Sequence, residues 1–443
     1  MSSIKRRLDI DVLQAARERI AYTFDHFEKI YVSFSAGKDS SIMLHLVMDE
    51  AIKRGRTVGV LLIDLEAQYK LTIEHAEEMF RKYAFNAAVY WVCLPLKLRN
   101  SVSNYEPVWC CWDPDRRDQW VRELPKHAGV ISDGKCFDFF EPWMEFEEFI
   151  VLFGEWYSQG KDTAAFVGIR CDESLNRFRT IALWDKGTHG GKRFTTRISD
   201  NLYNIYPIYD WHVSDIWKYR SRFPDKPHNA VYDRMHLAGL TPSQMRLCQP
   251  YGDDQKRGLW LYHIIEPETW GKVVARVNGA NSGALYIEET GNITGYNKIS
   301  KPPNHIHWKT FANLLLSTMP QVTREHYLER FRSWMKGWHS RGYTEGIPDE
   351  APRSLEKKYW APSWRRVCKV LLRNDWWCKG LGLTQPKSEA YGKYLEFKAT
   401  KKQTQAPHQK ANRQAQGKSN NSLPRAQADQ KASPEPRRRD AGH

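Results

Sequence analysis

The chain lacks any apolar run close to the ~20 residues that a bilayer-spanning helix requires, which argues against a helical membrane protein. Its first residues, Met1-Ser2-Ser3-Ile4-Lys5-Arg6-Arg7-Leu8-Asp9, enter a charged helical pattern and not an apolar secretory core. A cytoplasmic protein is therefore expected. The eight cysteines (Cys93, Cys110, Cys111, Cys136, Cys171, Cys248, Cys368, Cys378) contain no C-x-x-C and no zinc-finger spacing. Reduced thiols are expected in place of a disulfide framework or a structural zinc. There is no internal repeat. Acidic charge is the scarcer sign: Asp+Glu 52 stand against Lys+Arg 67, a formal net charge of +15. With 41% hydrophobic and 27% charged residues, the 443-residue chain is neither wholly disordered nor fibrous. It is long enough for two or three domains, or one large α/β domain with additions.

The excess charge is unevenly placed. From Pro386 to His443 there are 13 Lys/Arg against 5 Asp/Glu. From Thr400 onward that segment is rich in Gln, Lys, Asn and Pro and nearly free of large apolar residues. Such a stretch cannot bury enough surface to offset the entropy of ordering. Residues 386–443 are expected to form a disordered basic tail. It is either solubilising or an electrostatic tether to nucleic acid through endings such as Pro436-Arg437-Arg438-Arg439.

Ahead of the tail, periodicity predicts a helix over 10–28, from Ile10, Leu13, Ala16, Ile20 and Phe24. A buried strand follows at Ile30–Phe34, then a polar loop, Ser35-Ala36-Gly37-Lys38-Asp39-Ser40. A helix from Ile42 to Arg54, a strand Val58–Ile63, a helix of about Tyr69–Tyr83 and a strand Ala87–Leu94 complete a β-α-β-α-β alternation. That order predicts a parallel sheet with helices on both faces. The pattern lapses over 95–160, an expected insertion or lid, and resumes at Ala164–Ile169 and near Asn204–Ile208. The expected organisation is a nucleotide-binding α/β domain over 1–225, a substrate or lid extension over 226–300, a helical aromatic-basic region over 301–385, and the tail.

The loop at 35–40 carries the chemistry. It joins a strand end to a helix start, where backbone N–H groups and the helix dipole suit phosphate. Gly37 permits close backbone approach, Lys38 supplies a cation, and Ser35 and Ser40 can donate hydrogen bonds. Asp39 can hold Mg²⁺ on the phosphates. The string is not G-x-x-x-x-G-K-[ST], since the first Gly is missing and Asp follows Lys. A capped helix start is the bland alternative. The acids Asp64 and Glu66 end the second strand on the same side of the sheet, where ligands of such sheets bind.

The string Ser-Ala-Gly-Lys-Asp-Ser resembles the S-G-G-K-D-S PP-loop of the N-type ATP pyrophosphatases, with Ala36 replacing one Gly. Val167-Gly168-Ile169-Arg170, with Asp172-Glu173-Ser174 and Arg177, resembles a segment of phosphoadenosine phosphosulfate (PAPS) reductases and of the ATP sulfurylase small subunit. Tyr206-Pro207-Ile208 with Trp211, Asp215 and Trp217 resembles their P-I-x-x-W-x-x-x-D-V-W segment. The likeness covers about residues 28–220. Overall the chain resembles PAPS-reductase-like proteins of the immunoglobulin-binding-regulator-A type, which have been discussed as transcriptional regulators. The resemblance implies an adenine-nucleotide α-hydrolase-like (PP-loop) parallel sheet and ATP or PAPS as substrate. It implies Ser35, Gly37, Lys38, Asp39 and Ser40 around the phosphates, with Gly168 beside them and Asp64 near the adenosine. Arg170 and Arg177 would meet phosphate or an anionic substrate, and Glu173 would orient an arginine. Lys38, Asp39 and Arg170 are the expected catalytic groups.

Departures from that pattern shape the functional expectation. PAPS reductases end in an E-C-G-[IL]-H segment whose Cys attacks the sulfonucleotide, and this chain has no Cys after Cys378. Reduction of PAPS by that route is not expected. Cys110-Cys111 is a pair without a distant C-x-x-C, so buried thiols are expected there and not an iron–sulfur cluster. Arg246 and Cys248, in the polar string 246–257, are candidates for substrate contact, with a solvated loop as the alternative. His305 and His307 lack a third metal ligand. The aromatic-basic stretch from 305 includes Trp308, Lys309, Arg324, Trp334 and Trp338, followed by Lys357-Lys358, Trp364-Arg365-Arg366 and Trp376-Trp377. It can present phosphate- and base-binding groups to DNA or RNA, although most of its Trp residues are expected in a core. The expected function is cleavage of ATP at the α-phosphate to adenylylate an acceptor. A sulfonucleotide reductase or sulfur transferase, and a nucleotide-responsive transcriptional regulator with a protein or nucleic-acid partner, are the alternatives.

Overall fold

The computed structural model describes residues 9–182, 186–253, 258–259, 261–280 and 307–384. The basic tail, His305 and residues 254–257 lie outside them. Asp11 caps the first helix, α1 (Val12–His26), by accepting from Gln14 N at 2.7 Å. The face predicted from spacing is the buried one, with Leu13, Ala16, Ile20 and Phe24 inward. The alternation that follows is β1 (Lys29–Ser33), α2 (Lys38–Lys53), β2 (Val58–Ile63), α3 (Lys70–Lys82) and β3 (Ala87–Val92).

Residues 95–160 form more than a cover. A hairpin of β4 (Lys97–Arg99) and β5 (Val108–Cys110) stands apart from the main sheet. Then β6 (Val130–Ile131) joins the main sheet beside β3, and α4 (Phe146–Ser158) buries Phe149 and Phe153 on it. The chain continues through β7 (Thr163–Val167), α5 (Leu175–Ala182), β8 (Thr195–Arg197), β9 (Leu202–Ile205), α6 (Val213–Arg222) and α7 (Val231–Leu237). Short helices α8 (Leu261–Ile265) and α9 (Pro267–Arg276) follow.

The seven-stranded sheet has the order β6-β3-β2-β1-β7-β9-β8, parallel except for β8 against β9. Its centre is β1, in register with β2 (Val32 opposite Val60) and β7 (Val32 opposite Phe166). The chain moves outward to one side through β2 and β3, then returns to the other side at β7. This makes a switch point between β1 and β7, where a crevice opens beyond the strand ends. The 35–40 loop leaves β1 there, and Gly168–Arg170 leaves β7 beside it.

Three helices, Trp308–Ser317, Gln321–His339 and Trp364–Leu372, make a second core from Trp308, Phe311, Tyr327, Phe331, Trp334, Trp338, Val367 and Leu371, with the short helix Arg353–Lys357 outside it. Most of the late tryptophans are thus core. This module docks on the hairpin: Asn374 Nδ2 donates to Ser101 O (3.1 Å) and Ser103 O (2.9 Å). None of the helices among the described residues is long and apolar enough to cross a membrane.

Two buried histidines brace α2. His45 is held between the Tyr83 hydroxyl (2.6 Å) and Pro227 O (2.9 Å), and His75 Nε2 meets Ser41 Oγ at 2.8 Å. Burial lowers their pKa values to about 3 and about 4. The unfolded chain therefore takes up protons below the ordinary histidine value while the folded chain does not. Stability contributed by the neutral rings is complete above about pH 6.5 and falls as pH drops toward 4. Each ring is expected to cost on the order of 1.4 kcal/mol per pH unit in that window. Denaturant titrations from pH 7 to 4.5 on the wild type and His75→Gln check this, the variant showing the shallower loss.

Candidate nucleotide site

The loop is built on an uncommon backbone. Ala36 has φ 54°, the left-handed region that Gly occupies freely and that costs another residue about 1–2 kcal/mol. Asn229 Nδ2 steadies it by donating to Ala36 O at 2.9 Å. Gly37 is the N-cap of α2 and has no side-chain cap. Ser40 Oγ closes the turn, donating to Gly37 O (3.1 Å) and lying 3.0 Å from Ser35 Oγ. The Tyr232 hydroxyl accepts from Lys38 N at 3.0 Å, a partner that the sequence pattern did not indicate. The Lys38 ammonium donates to Met245 O at 2.9 Å and lies 3.4 Å from Asp39 Oδ2. Burial lowers its pKa, opposed by Asp39.

Behind the loop lies Arg170, only 3% exposed. Its Nε donates to Asp39 Oδ1 at 2.6 Å, and its Nη1 donates to Asp172 Oδ1 (2.6 Å) and Oδ2 (2.8 Å). Its backbone N–H donates to Glu173 Oε2 at 3.2 Å. Glu173 also pairs with Arg177, and its carbonyl accepts from Arg246 Nη2 at 3.1 Å. The structure thus gathers Lys38, Asp39, Arg170, Glu173, Arg177 and Arg246 into one network. Both oxygens of Asp39 face cations, so Mg²⁺ held by this carboxylate does not fit the arrangement. Among the described residues, no three or more His, Cys, Asp or Glu side chains gather as metal ligands. Gly168 presses against the loop: a Cβ there would lie 3.2 Å from Ser40 Cα and 3.3 Å from Ser40 N.

The strand-end acids are engaged elsewhere. Asp64 is fully buried, accepting from Trp91 Nε1 (2.8 Å) and Glu66 N (3.0 Å) and pairing with Arg122. Its carboxylate serves the insertion and does not line the cleft described below. Glu66, also fully buried, takes Arg276 Nε at 2.6 Å and Nη2 at 3.0 Å, together with Trp112 N at 2.7 Å. Cys110 and Cys111 are buried beside this cluster; burial pushes Cys110 up to about 12 and Cys111 well above the usual thiol range.

A cleft of about 520 Å³ opens beyond the carboxyl ends of β1 and β2. That is the size of a small-ligand pocket. Of the loop, Ser35 lines it. Phe34, Leu61, Ile63, Leu65 and Tyr69 form an apolar wall, and Tyr69 stacks on Tyr262 at 4.0 Å. The Tyr69 hydroxyl is buried and has no hydrogen-bond partner among the described residues. The opposite wall carries Lys97, Arg99, Cys248, Trp376, Trp377 and Lys379. Spacing alone flagged Cys248. It could not flag Arg99 or Lys379, which arrive from a hairpin and from the helical module.

A parallel sheet with a glycine-containing loop and a half-buried lysine at its switch point defines an α/β protein of the PP-loop class. Comparison with known proteins narrows the class. The phosphoadenosine phosphosulfate reductase domain matches residues 29–236, and a domain of unknown function (DUF3440) matches 239–361. The uncharacterized protein YbdN of Escherichia coli (strain K12) is 42% identical over 402 residues, 89% of this chain and 96% of that protein. The chain belongs to the PAPS reductase-like family of PP-loop proteins. Among solved structures, PAPS reductase from Candida auris is similar at 13% identity and TM-score 0.28, over 49% of this chain and 83% of that one. FMN adenylyltransferase from Candida glabrata is similar at 14% and 0.30, over 50% and 59%.

Because the neighbours of a Gly168 Cβ are backbone atoms, Gly168→Ala forces β7 and α2 apart by a few tenths of an ångström. The expected outcome is a nucleotide dissociation constant weakened about tenfold or more, since small displacements at a positioned site are costly. Isothermal titration of both proteins with ATP, alongside thermal melts, separates this from loss of fold.

Proposed function

We propose that the cleft binds ATP or a related adenylyl nucleotide, with phosphates toward Ser35, Lys38 and the N-terminus of α2. The base would lie against Phe34, Leu61, Ile63 and Leu65. The chain would then cleave at the α-phosphate to adenylylate an acceptor. The observation that carries this reading is that the 35–40 loop leaves β1 at a cleft of small-ligand size, which Ser35 lines and whose apolar wall holds an unpaired buried hydroxyl, that of Tyr69. Lys38 rests on a neutral carbonyl, a contact that a phosphate oxygen would outcompete by a charge-assisted bond. The acceptor's nucleophile attacks the α-phosphorus as the bond to the α–β bridging oxygen breaks, and pyrophosphate leaves with the electron pair. Lys38 would stabilise the charge that develops on the phosphates. Arg170 is a positioning residue, acting on the loop through Asp39. A cytoplasmic setting suits an ATP-dependent reaction in this family.

Cys248, in the same cleft, favours a second reading as a sulfonucleotide reductase or sulfur transferase. Loss of PAPS or adenylyl sulfate turnover in Cys248→Ser would mark it. The basic helical module is the feature that favours a nucleotide-responsive regulator without turnover, recognised by nucleotide-dependent DNA binding and no AMP.

Incubation with α-labelled ATP, resolving AMP, ADP and pyrophosphate, tests the main reading. AMP and pyrophosphate are expected, slowed about 100-fold or more in Lys38→Ala. ADP and phosphate, or no turnover with any acceptor class while binding is intact, would sink it. Tyr69→Phe removes a hydroxyl with no partner in the unliganded chain. It is expected to leave the melting temperature unchanged or raised while weakening nucleotide binding about 2- to 10-fold. Equal affinity for the two proteins would place the nucleotide away from this wall.

A further inference from the structure

The helical module carries a surface that nucleotide cleavage does not use. Its described residues, 307–384, include 14 Lys/Arg against 7 Asp/Glu. Two aromatic side chains stand out of its core: Trp360 is 65% exposed and Tyr359 48%. Around them Arg353, Lys357 and Lys358 are exposed, and Lys358 Nζ sits 4.6 Å from the Trp360 ring centroid. The nearby acids are already engaged: Arg365 pairs with Glu350 at 3.1 Å and with Glu356 at 3.0 Å. The charge left on this face is of one sign.

The presentation is built into the backbone. Tyr359 has φ 61°, uncommon for a bulky residue. Its ring is held from behind by the buried Arg366 guanidinium, 4.6 Å from the centroid. Arg366 in turn donates to Ala361 O at 3.2 Å and to Gly380 O. Gly382, at φ 85°, lets the ring approach: a Cβ there would lie 3.3 Å from Tyr359 Cδ1. The same turn carries Trp377 and Lys379, which line the cleft. Rings and cations therefore run from an exposed platform to the cleft mouth.

We propose that Tyr359 and Trp360, with Arg353, Lys357 and Lys358, form a stacking platform for single-stranded nucleic acid, and that the bound strand continues over Lys379 to the cleft. The ring surface that Lys358 and Arg366 leave uncovered suits unpaired bases, whose faces a duplex hides, and the flanking cations suit the phosphate backbone. A protein partner is less well matched, because the apolar area beyond the two rings is small and the remaining charge is of one sign. The platform rests on its own geometry and does not require ATP in the cleft.

Fluorescence anisotropy of the full-length protein with a labelled mixed-sequence 20-nucleotide strand, and with its duplex, tests this across a salt series. Single strand is expected to bind more tightly than duplex. Trp360→Ala is expected to weaken single-strand binding about 5- to 100-fold while any duplex binding is unchanged. Trp360→Phe should restore most of the affinity, since a ring returns to the same exposed position. The double substitution Lys357→Ala, Lys358→Ala should reduce the log–log salt slope by about 1.4. Single-strand binding unaltered in Trp360→Ala would overturn the proposal. So would equal losses for strand and duplex. Self-association abolished by Trp360→Ala without change in strand affinity would assign the face to a protein contact instead. Equilibrium dialysis with ATP, expected to be identical for Trp360→Ala and wild type, keeps this outcome separate from the fate of the cleft reading.

Discussion

A carboxylate withdrawn from water at the end of a buried strand must meet a cation, or it forfeits several kcal/mol of solvation. Asp64 and Glu66 follow buried β2 in this way, and a third carboxylate, Asp39, stands in the first turn of α2. Asp39 is answered by Arg170, Asp64 by Arg122 and Glu66 by Arg276. Each arginine belongs to a different part of the chain: the turn after β7, the insertion, and the end of α9. Charge pairing at one edge of the sheet therefore fastens three segments that share no secondary structure.

The same pairing shapes the loop end of the site. Arg170 is held by Asp39 and Asp172, so it backs the phosphate loop as a rigid cation. Lys38 is held more lightly, by one carbonyl at 2.9 Å and an acid at 3.4 Å. Ala36 holds a left-handed backbone that glycine would adopt without strain, and local strain of this kind persists where surrounding contacts over-determine it. Here those contacts are Asn229 and the Ser35–Ser40 hydroxyl pair.

Much of the fold was legible in advance because its signals are local. Alternating strands and amphipathic helices announce a parallel sheet, and the polar loop was placed correctly between β1 and α2. Arg170, Glu173 and Arg177 were legible as a group because they are close in sequence. Asp64 and Glu66 were read as acids facing a ligand, since their position at a strand end is where ligands bind. Sequence carries no mark of the distant arginines that turn them to structural use. Residues 95–160 looked like a cover because their pattern is irregular, yet β6 and α4 are part of the sheet and its packing. A two-residue edge strand is too short to leave a periodic signal.

The amino-acid order by itself determined the class of fold, the place of the phosphate loop and the basic, aromatic character of the later region. Those follow from hydrophobic periodicity and from residues a few positions apart. Tertiary structure decided which tryptophans are core and which face water, which acids are consumed by arginines, and that Tyr69, Arg99, Cys248 and Lys379 share one cleft. Burial and long-range pairing depend on which segments meet in space, and no local pattern of residues encodes that meeting.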